Sequence, residues 1–278
     1  MMVLEFTLIV LLVSVLGGVL GSILGLGGAV VVTPLLTIFL GIDIHFAIGA
    51  SIVSIIATSS GAAAAYVRDR LTNLRVGMFL ELGTTCGAIV GAALAVYANS
   101  TLLKAIFGAV LLITLIPMLK KFGEDIPKSP ELKGLAKRLS LRGSYTEPNG
   151  LVVNYNATRP VAGMFGMVFA GLLSGLLGIG SGAFKVLSMD LAMKLPMKVS
   201  TTTSNFMIGV TAAASAGIYI VRGDVDPLIV APVALGIMVG AFIGSKTLPK
   251  TRNPTVRKIF AIVIAATAIE MIAGVFGF

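Results

Sequence analysis

One stretch of this chain occurs twice. Gly18-Val19-Leu20-Gly21-Ser22-Ile23-Leu24-Gly25-Leu26-Gly27-Gly28 returns as Gly171-Leu172-Leu173-Ser174-Gly175-Leu176-Leu177-Gly178-Ile179-Gly180-Ser181. The offset of 153 residues, from Gly25 to Gly178, holds without a gap through Tyr66/Tyr219, Gly83/Gly236, Gly87/Gly240 and Gly91/Gly244. A duplication of this length confines the chain to folds with two similar halves. In an apolar chain it points to transporter architectures, where the substrate binds between the halves.

Composition places the chain in a bilayer. Hydrophobic residues make up 56% and charged residues 12%, whereas soluble domains carry about 25% charge. Mean hydropathy is +1.01. The expected fold is all-α and polytopic. A net charge of +9 then belongs in loops on one side of the membrane, and nucleic acid is not an expected partner. Cys86, the one cysteine, forms no intramolecular disulfide. With one His besides, a metal centre or a Cys/His catalytic site is not expected, and neither is a cofactor. The start, Met1-Met2-Val3-Leu4-Glu5, lacks a basic n-region and reads as retained. Trp is absent, so Tyr and Phe must serve at the interfaces.

Ten apolar segments can be drawn, five per half: 3–24, 29–41, 45–66, 75–97 and 101–119, then 160–177, 182–194, 198–221, 227–247 and 255–277. Most approach the ~20 residues that cross about 30 Å of hydrocarbon. The second of each half is short and follows a glycine cluster, the pattern of a broken or re-entrant helix beside a cavity. Basic residues fill the linker 120–159 (Lys120, Lys121, Lys128, Lys133, Lys137, Arg138, Arg142, Arg159) and the loops 67–75, 194–198 and 246–258. All are expected in the cytoplasm, with both termini outside. An odd number of segments per half makes the halves inverted: repeat 1–119, cytoplasmic linker 120–159, repeat 160–278. A parallel duplication is the alternative. Within the linker, Leu132, Leu135 and Leu139 among basic residues suggest a short surface helix over 130–141, and Pro148-Asn149-Gly150 suggests a hairpin within 144–158.

Several residues carry possible chemistry. Gly25, Gly27 and Gly28, and the matching Gly178, Gly180 and Gly182, precede the short segments. Glycines allow close helix packing, and helix starts expose unpaired N–H groups that attract anions. Lys185 lies within the second short segment, where the first half has Val32. An intramembrane lysine is costly and marks function by default. Snorkelling, or pairing with an acid such as Glu81 or Asp190, is the structural alternative. Ser181 stands beside it. The run Ser200-Thr201-Thr202-Thr203-Ser204-Asn205 offers hydroxyls and an amide to oxyanion oxygens, or else a cap and interhelical hydrogen bonds. Glu81, Asp190 and Glu270 are candidates for coupling.

At these residues the chain resembles the TauE/SafE family of sulfite exporter-like anion transporters. The match rests on Gly25-Leu26-Gly27-Gly28 with Pro34, its echo at Gly178-Ile179-Gly180, and the two-half layout. The resemblance implies a secondary transporter of sulfur-containing oxyanions or organosulfonates in the inner membrane. It departs where Ser181 replaces the third glycine and Leu187 stands in place of Pro34. Gly25, Gly27, Gly28, Ser181, Lys185 and Thr201 to Asn205 are the expected substrate contacts. The expected partners are a small anion and membrane lipid, and Gly/Ala-rich faces allow a homodimer. No nucleotide-binding motif is present, so gradients would drive transport. An intramembrane enzyme acting on a lipid phosphate and a membrane assembly factor are the alternative functions.

Overall fold

Glycines spaced four apart leave a bare stripe along one side of a helix, and such stripes decide the packing here. The computed structural model describes residues 3–24, 27–68, 71–119, 131–146, 152–247, 262, 265–269 and 271–275. The elements run α1 (Val3–Leu24), α2 (Ala29–Phe39), α3 (Ile44–Arg68), α4 (Leu74–Ala95), α5 (Ser100–Leu119), α6 (Gly134–Arg138), β1 (Arg142–Thr146), β2 (Val152–Asn156), α7 (Pro160–Leu177), α8 (Gly182–Leu187), a π-helical turn (Ser188–Ala192), α9 (Met197–Arg222) and α10 (Pro227–Thr247). Among the described residues, five helices contain windows long and apolar enough to cross a membrane: Glu5–Ser22, Leu74–Ala95, Pro160–Leu177, Lys198–Arg222 and Pro227–Gly244. The protein is a multi-pass membrane protein. Of the tenth apolar segment, 255–277, residues 265–269 and 271–273 are helical and most of the rest lies outside the described residues.

Two helix pairs form the closest contacts, α1 with α10 and α4 with α7. On α4, a Cβ at Gly87 would fall on the Val168 carbonyl, and one at Gly91 on the Leu172 carbonyl. On α10, a Cβ at Gly240 would fall on the Val15 carbonyl, and one at Gly244 would lie 2.7 Å from the Val19 carbonyl. These contacts correspond under the 153-residue offset, with the halves exchanged. Each half therefore contributes its fourth helix to the other half's first. In lipid there is no hydrophobic gain from joining two apolar helices, so backbone approach and dispersion supply the association. Both α3 and α9 pack between these pairs and against each other.

The short second segments have different shapes in the two halves. In the first, α2 runs eleven residues with Pro34 inside it. In the second, α8 lasts six residues and passes into the π-helical turn. The linker helix is one turn, Gly134–Arg138, shorter than the expected 130–141. The hairpin forms, with Arg142 opposite Asn156 and Thr146 opposite Val152. Its proposed turn, 148–150, lies outside the described residues. Tyr145, Val153 and Tyr155 bury one face of the hairpin against Val76, Leu80, Met193 and Val199.

Candidate functional site

The two glycine clusters meet at one pair of isoleucines. Gly27 (φ +76°) would place a Cβ 3.2 Å from Ile208 and 3.7 Å from Ile55, and Gly180 (φ +68°) would place one 2.8 Å from Ile208 and 3.4 Å from Ile55. Ile55 and Ile208 are themselves equivalent residues of α3 and α9. The left-handed backbone at Gly27 and Gly28 turns the chain into α2, a conformation that side chains other than glycine's strain to adopt. Ser181 takes the corresponding place before α8 at φ +44°, where its backbone is also left-handed. Gly25 lies outside the described residues.

Lys185 is wholly buried on α8. Its Nζ donates to Thr211 Oγ1 at 2.5 Å. Thr211 Oγ1 in turn lies 2.7 Å from Glu81 Oε1, to which it donates, and 2.8 Å from the Met207 carbonyl. Thr85 donates to the same carboxylate oxygen at 3.3 Å. Glu81 Oε2 has no hydrogen-bond partner although Glu81 is 8% exposed. A cation on α8, a hydroxyl on α9 and an anion on α4 thus form one buried chain. The same positions in the other arrangement of halves are Val32, Thr58 and Ala234. There Thr58 turns its hydroxyl to carbonyls of its own helix, Ser54 and Ile55. The polar chain exists on one side only.

The hydroxyl run on α9 divides. Thr202 lies 2.9 Å from the Leu71 carbonyl, and Thr203 accepts from the Asn73 backbone N–H at 3.0 Å. Those two hold the loop before α4. Ser204 donates to the Gly182 carbonyl at 3.2 Å, tying α9 to the start of α8. Asn205 faces a small cavity lined also by Gly18, Ser22, Gly27, Thr58, Ser59 and Ile208. The Asn205 amide nitrogen and the hydroxyls of Ser181 and Ser200 are buried without hydrogen-bond partners. Thr201 is half-buried. So Gly27, Gly28, Ser181, Ser204 and Asn205 gather around the glycine turns, whereas Thr202 and Thr203 serve a loop.

Among the coupling candidates, Glu81 is linked to Lys185 through the Thr211 hydroxyl, and Asp190 is not. Asp190 sits in the π-helical turn, where Lys194 is its charged neighbour. Glu270 lies outside the described residues. Thr211 escaped the sequence reading because it sits mid-helix in an apolar span. Its equivalence to Thr58, another polar residue in a helix core, was the available signal. Asn73 was missed as well. Its side chain accepts from Val76 N–H at 3.1 Å, capping α4, and donates to Tyr155 Oη at 3.0 Å and the Arg142 carbonyl at 3.3 Å. One residue thereby fastens the hairpin to a helix start. Among the described residues no cluster of metal-ligating side chains occurs.

Comparison with known proteins gives a consistent result. The profile of the family described as "Sulfite exporter TauE/SafE" matches residues 10–271. "Probable membrane transporter protein YunE" of Bacillus subtilis (strain 168) is 28% identical over 276 residues, covering 96% of this chain and 97% of that protein. "Probable membrane transporter protein YdhB" of the same organism is 29% identical over 240 residues, covering 86% and 89%. "Probable membrane transporter protein MJ0441" of Methanocaldococcus jannaschii is 27% identical over 217 residues, covering 75% and 71%. No solved structure matches the chain.

Proposed function

This chain belongs to the sulfite exporter TauE/SafE family, and from that premise we propose that it is a secondary transporter of a small sulfur-containing oxyanion or organosulfonate. Its relatives carry the names of membrane transporters, and transport rather than catalysis is the reading adopted. The observation that carries the anion is Lys185, a wholly buried cation reached by the chain's second glycine turn. Burying a charge among apolar helices costs several kcal/mol unless it is matched. Glu81 matches it through Thr211, and an anionic ligand would compete with that carboxylate for the ammonium. Ser181 and Asn205 supply further donors without partners. Gly27 of the other half lines the small cavity that Asn205 faces.

The transport cycle follows from the arrangement of halves. Repeats 1–119 and 160–278 are read as inverted, joined by a cytoplasmic linker 120–159, with ten segments in the inner membrane and both termini outside. The exchanged contacts of α1 with α10 and of α4 with α7 fit two halves related by a two-fold axis. Rocking about the core that holds Ile55 and Ile208 would open the glycine turns to each side alternately.

The test is thermal stability of the purified protein in detergent against sulfite, thiosulfate, sulfonates, sulfate and carboxylates. An anion at about 100 times its Kd stabilises the fold by about 2.7 kcal/mol. A shift with sulfur anions that Lys185→Ala removes is the expected result. No shift with any anion refutes the assignment, and a shift that survives Lys185→Ala moves the site elsewhere.

A further inference from the structure

The polar chain at Lys185 has a consequence for energy coupling. Resting on the anion-carrier reading above, we propose that Glu81 is the counter-ion of Lys185 in the empty carrier, that the substrate anion displaces it, and that Glu81 then takes up one proton.

The geometry sets this exchange. Lys185 and Glu81 do not touch; the Thr211 hydroxyl joins them, accepting from Nζ at 2.5 Å and donating to Oε1 at 2.7 Å. A bridged pair is neutral overall yet leaves Lys185 with donors to spare, since an ammonium carries three. Oε2 of Glu81 has no partner, so the carboxylate holds an acceptor position that a proton can occupy. Among the described residues, no other charged group acts on either member of the pair. No titratable side chain lies on α7, which packs along α4. On α9 the titratable groups are Lys198, Tyr219 and Arg222, toward its two ends, while Thr211 faces Glu81 from its middle. Near α8, Asp190 has Lys194 as its charged neighbour. Lys185 is the charged group acting on Glu81.

Charge balance then dictates the stoichiometry. The empty site holds one positive and one negative charge. A monoanion bound to Lys185 would leave it with a net negative charge deep among apolar helices, which is costly. One proton from the aqueous side on which the anion enters converts the Glu81 carboxylate to a carboxylic acid and restores neutrality. After release of the anion, the proton leaves to the same side and Glu81 pairs with Lys185 again. No covalent bond other than the O–H of Glu81 forms or breaks. Each monoanion therefore crosses with one proton, and the step carries no net charge. The other half cannot repeat this, because Val32 and Ala234 occupy the equivalent positions.

The experiment is infrared difference spectroscopy on the full chain in lipid at neutral pH, with methanesulfonate and ethanesulfonate, both monoanions, as probes, comparing wild type with Glu81→Gln. The expected result is an ionised Glu81 without anion and a new carboxylic-acid carbonyl band on adding anion, lost in Glu81→Gln and displaced in Glu81→Asp. A protonated Glu81 in the anion-free protein, or a carboxylate that persists when an anion is bound, overturns the proposal. Failure of both probes to bind overturns the sulfur-anion reading instead. In proteoliposomes Glu81→Gln should keep the exchange of internal for external probe and lose net uptake driven by an acid exterior. Equal loss of both activities with a preserved carbonyl band also overturns it.

Discussion

Replacing Lys185 by Met strands the Glu81 carboxylate. Lys185 is fully buried and Glu81 is 8% exposed, so water replaces neither partner. Breaking a buried pair by removing one member costs about 3–5 kcal/mol. The Thr211 hydroxyl also loses the ammonium it accepts from. Met is close to lysine in length and leaves no large cavity, so the electrostatic loss dominates. Removing both charges, as in Lys185→Met with Glu81→Met, should recover most of the stability, because apolar replacements of a buried pair are often neutral. The two single variants should therefore fail to add, with a coupling of about 3 kcal/mol, at the upper end of the range for groups in one network. Reversible unfolding in mixed micelles, for wild type, both singles and the double variant, measures this cycle. Singles within about 0.5 kcal/mol of wild type, or losses that add in the double, would refute the reasoning that the two charges hold each other.

Gly87→Ala and Gly240→Ala should each cost about 1–3 kcal/mol by forcing equivalent helix pairs apart, whereas Gly217→Ala, which meets no atom within 4 Å, should be neutral or slightly stabilising; unfolding of the three variants checks it. Asn73→Ala removes the α4 cap and the bond to Tyr155, so about 0.5–2 kcal/mol is expected from the cap, with faster proteolysis of the hairpin 142–156 as the specific readout. Burial alone would raise the Asp43 carboxyl, but the His45 backbone N–H, its imidazole and the Ser100 hydroxyl outweigh it and hold the group below its ordinary value. That contribution is present above the unfolded-state value and is lost as pH falls through the lower, folded one. Asp43→Asn should flatten the stability profile on that acid side, measured by thermal unfolding across pH.

The membrane class, the two related halves and the shortness of the second segments were legible in the residues themselves. Hydropathy and glycine spacing are local quantities, and a 153-residue repeat needs no structure to be seen. Lys185 also announced itself, since a lysine inside an apolar segment is conspicuous in any arrangement of helices. The hairpin was foreshadowed by Pro148-Asn149-Gly150, yet its anchoring by Asn73 was not. What the tertiary structure decided was partnership. Glu81 and Asp190 were both candidates on paper, Asp190 far nearer in sequence but, five residues from Lys185, off its face in a regular helix. The passage of α8 into a π-helical turn left Asp190 beside Lys194, while the packing of α4, α8 and α9 brought Glu81 within one hydroxyl of Lys185. The same packing divided the run at 200–205, giving Thr202 and Thr203 to a loop and Ser204 and Asn205 to the glycine turns. A helix face is set by the sequence, but which neighbour covers that face depends on backbone approach between segments far apart in the chain.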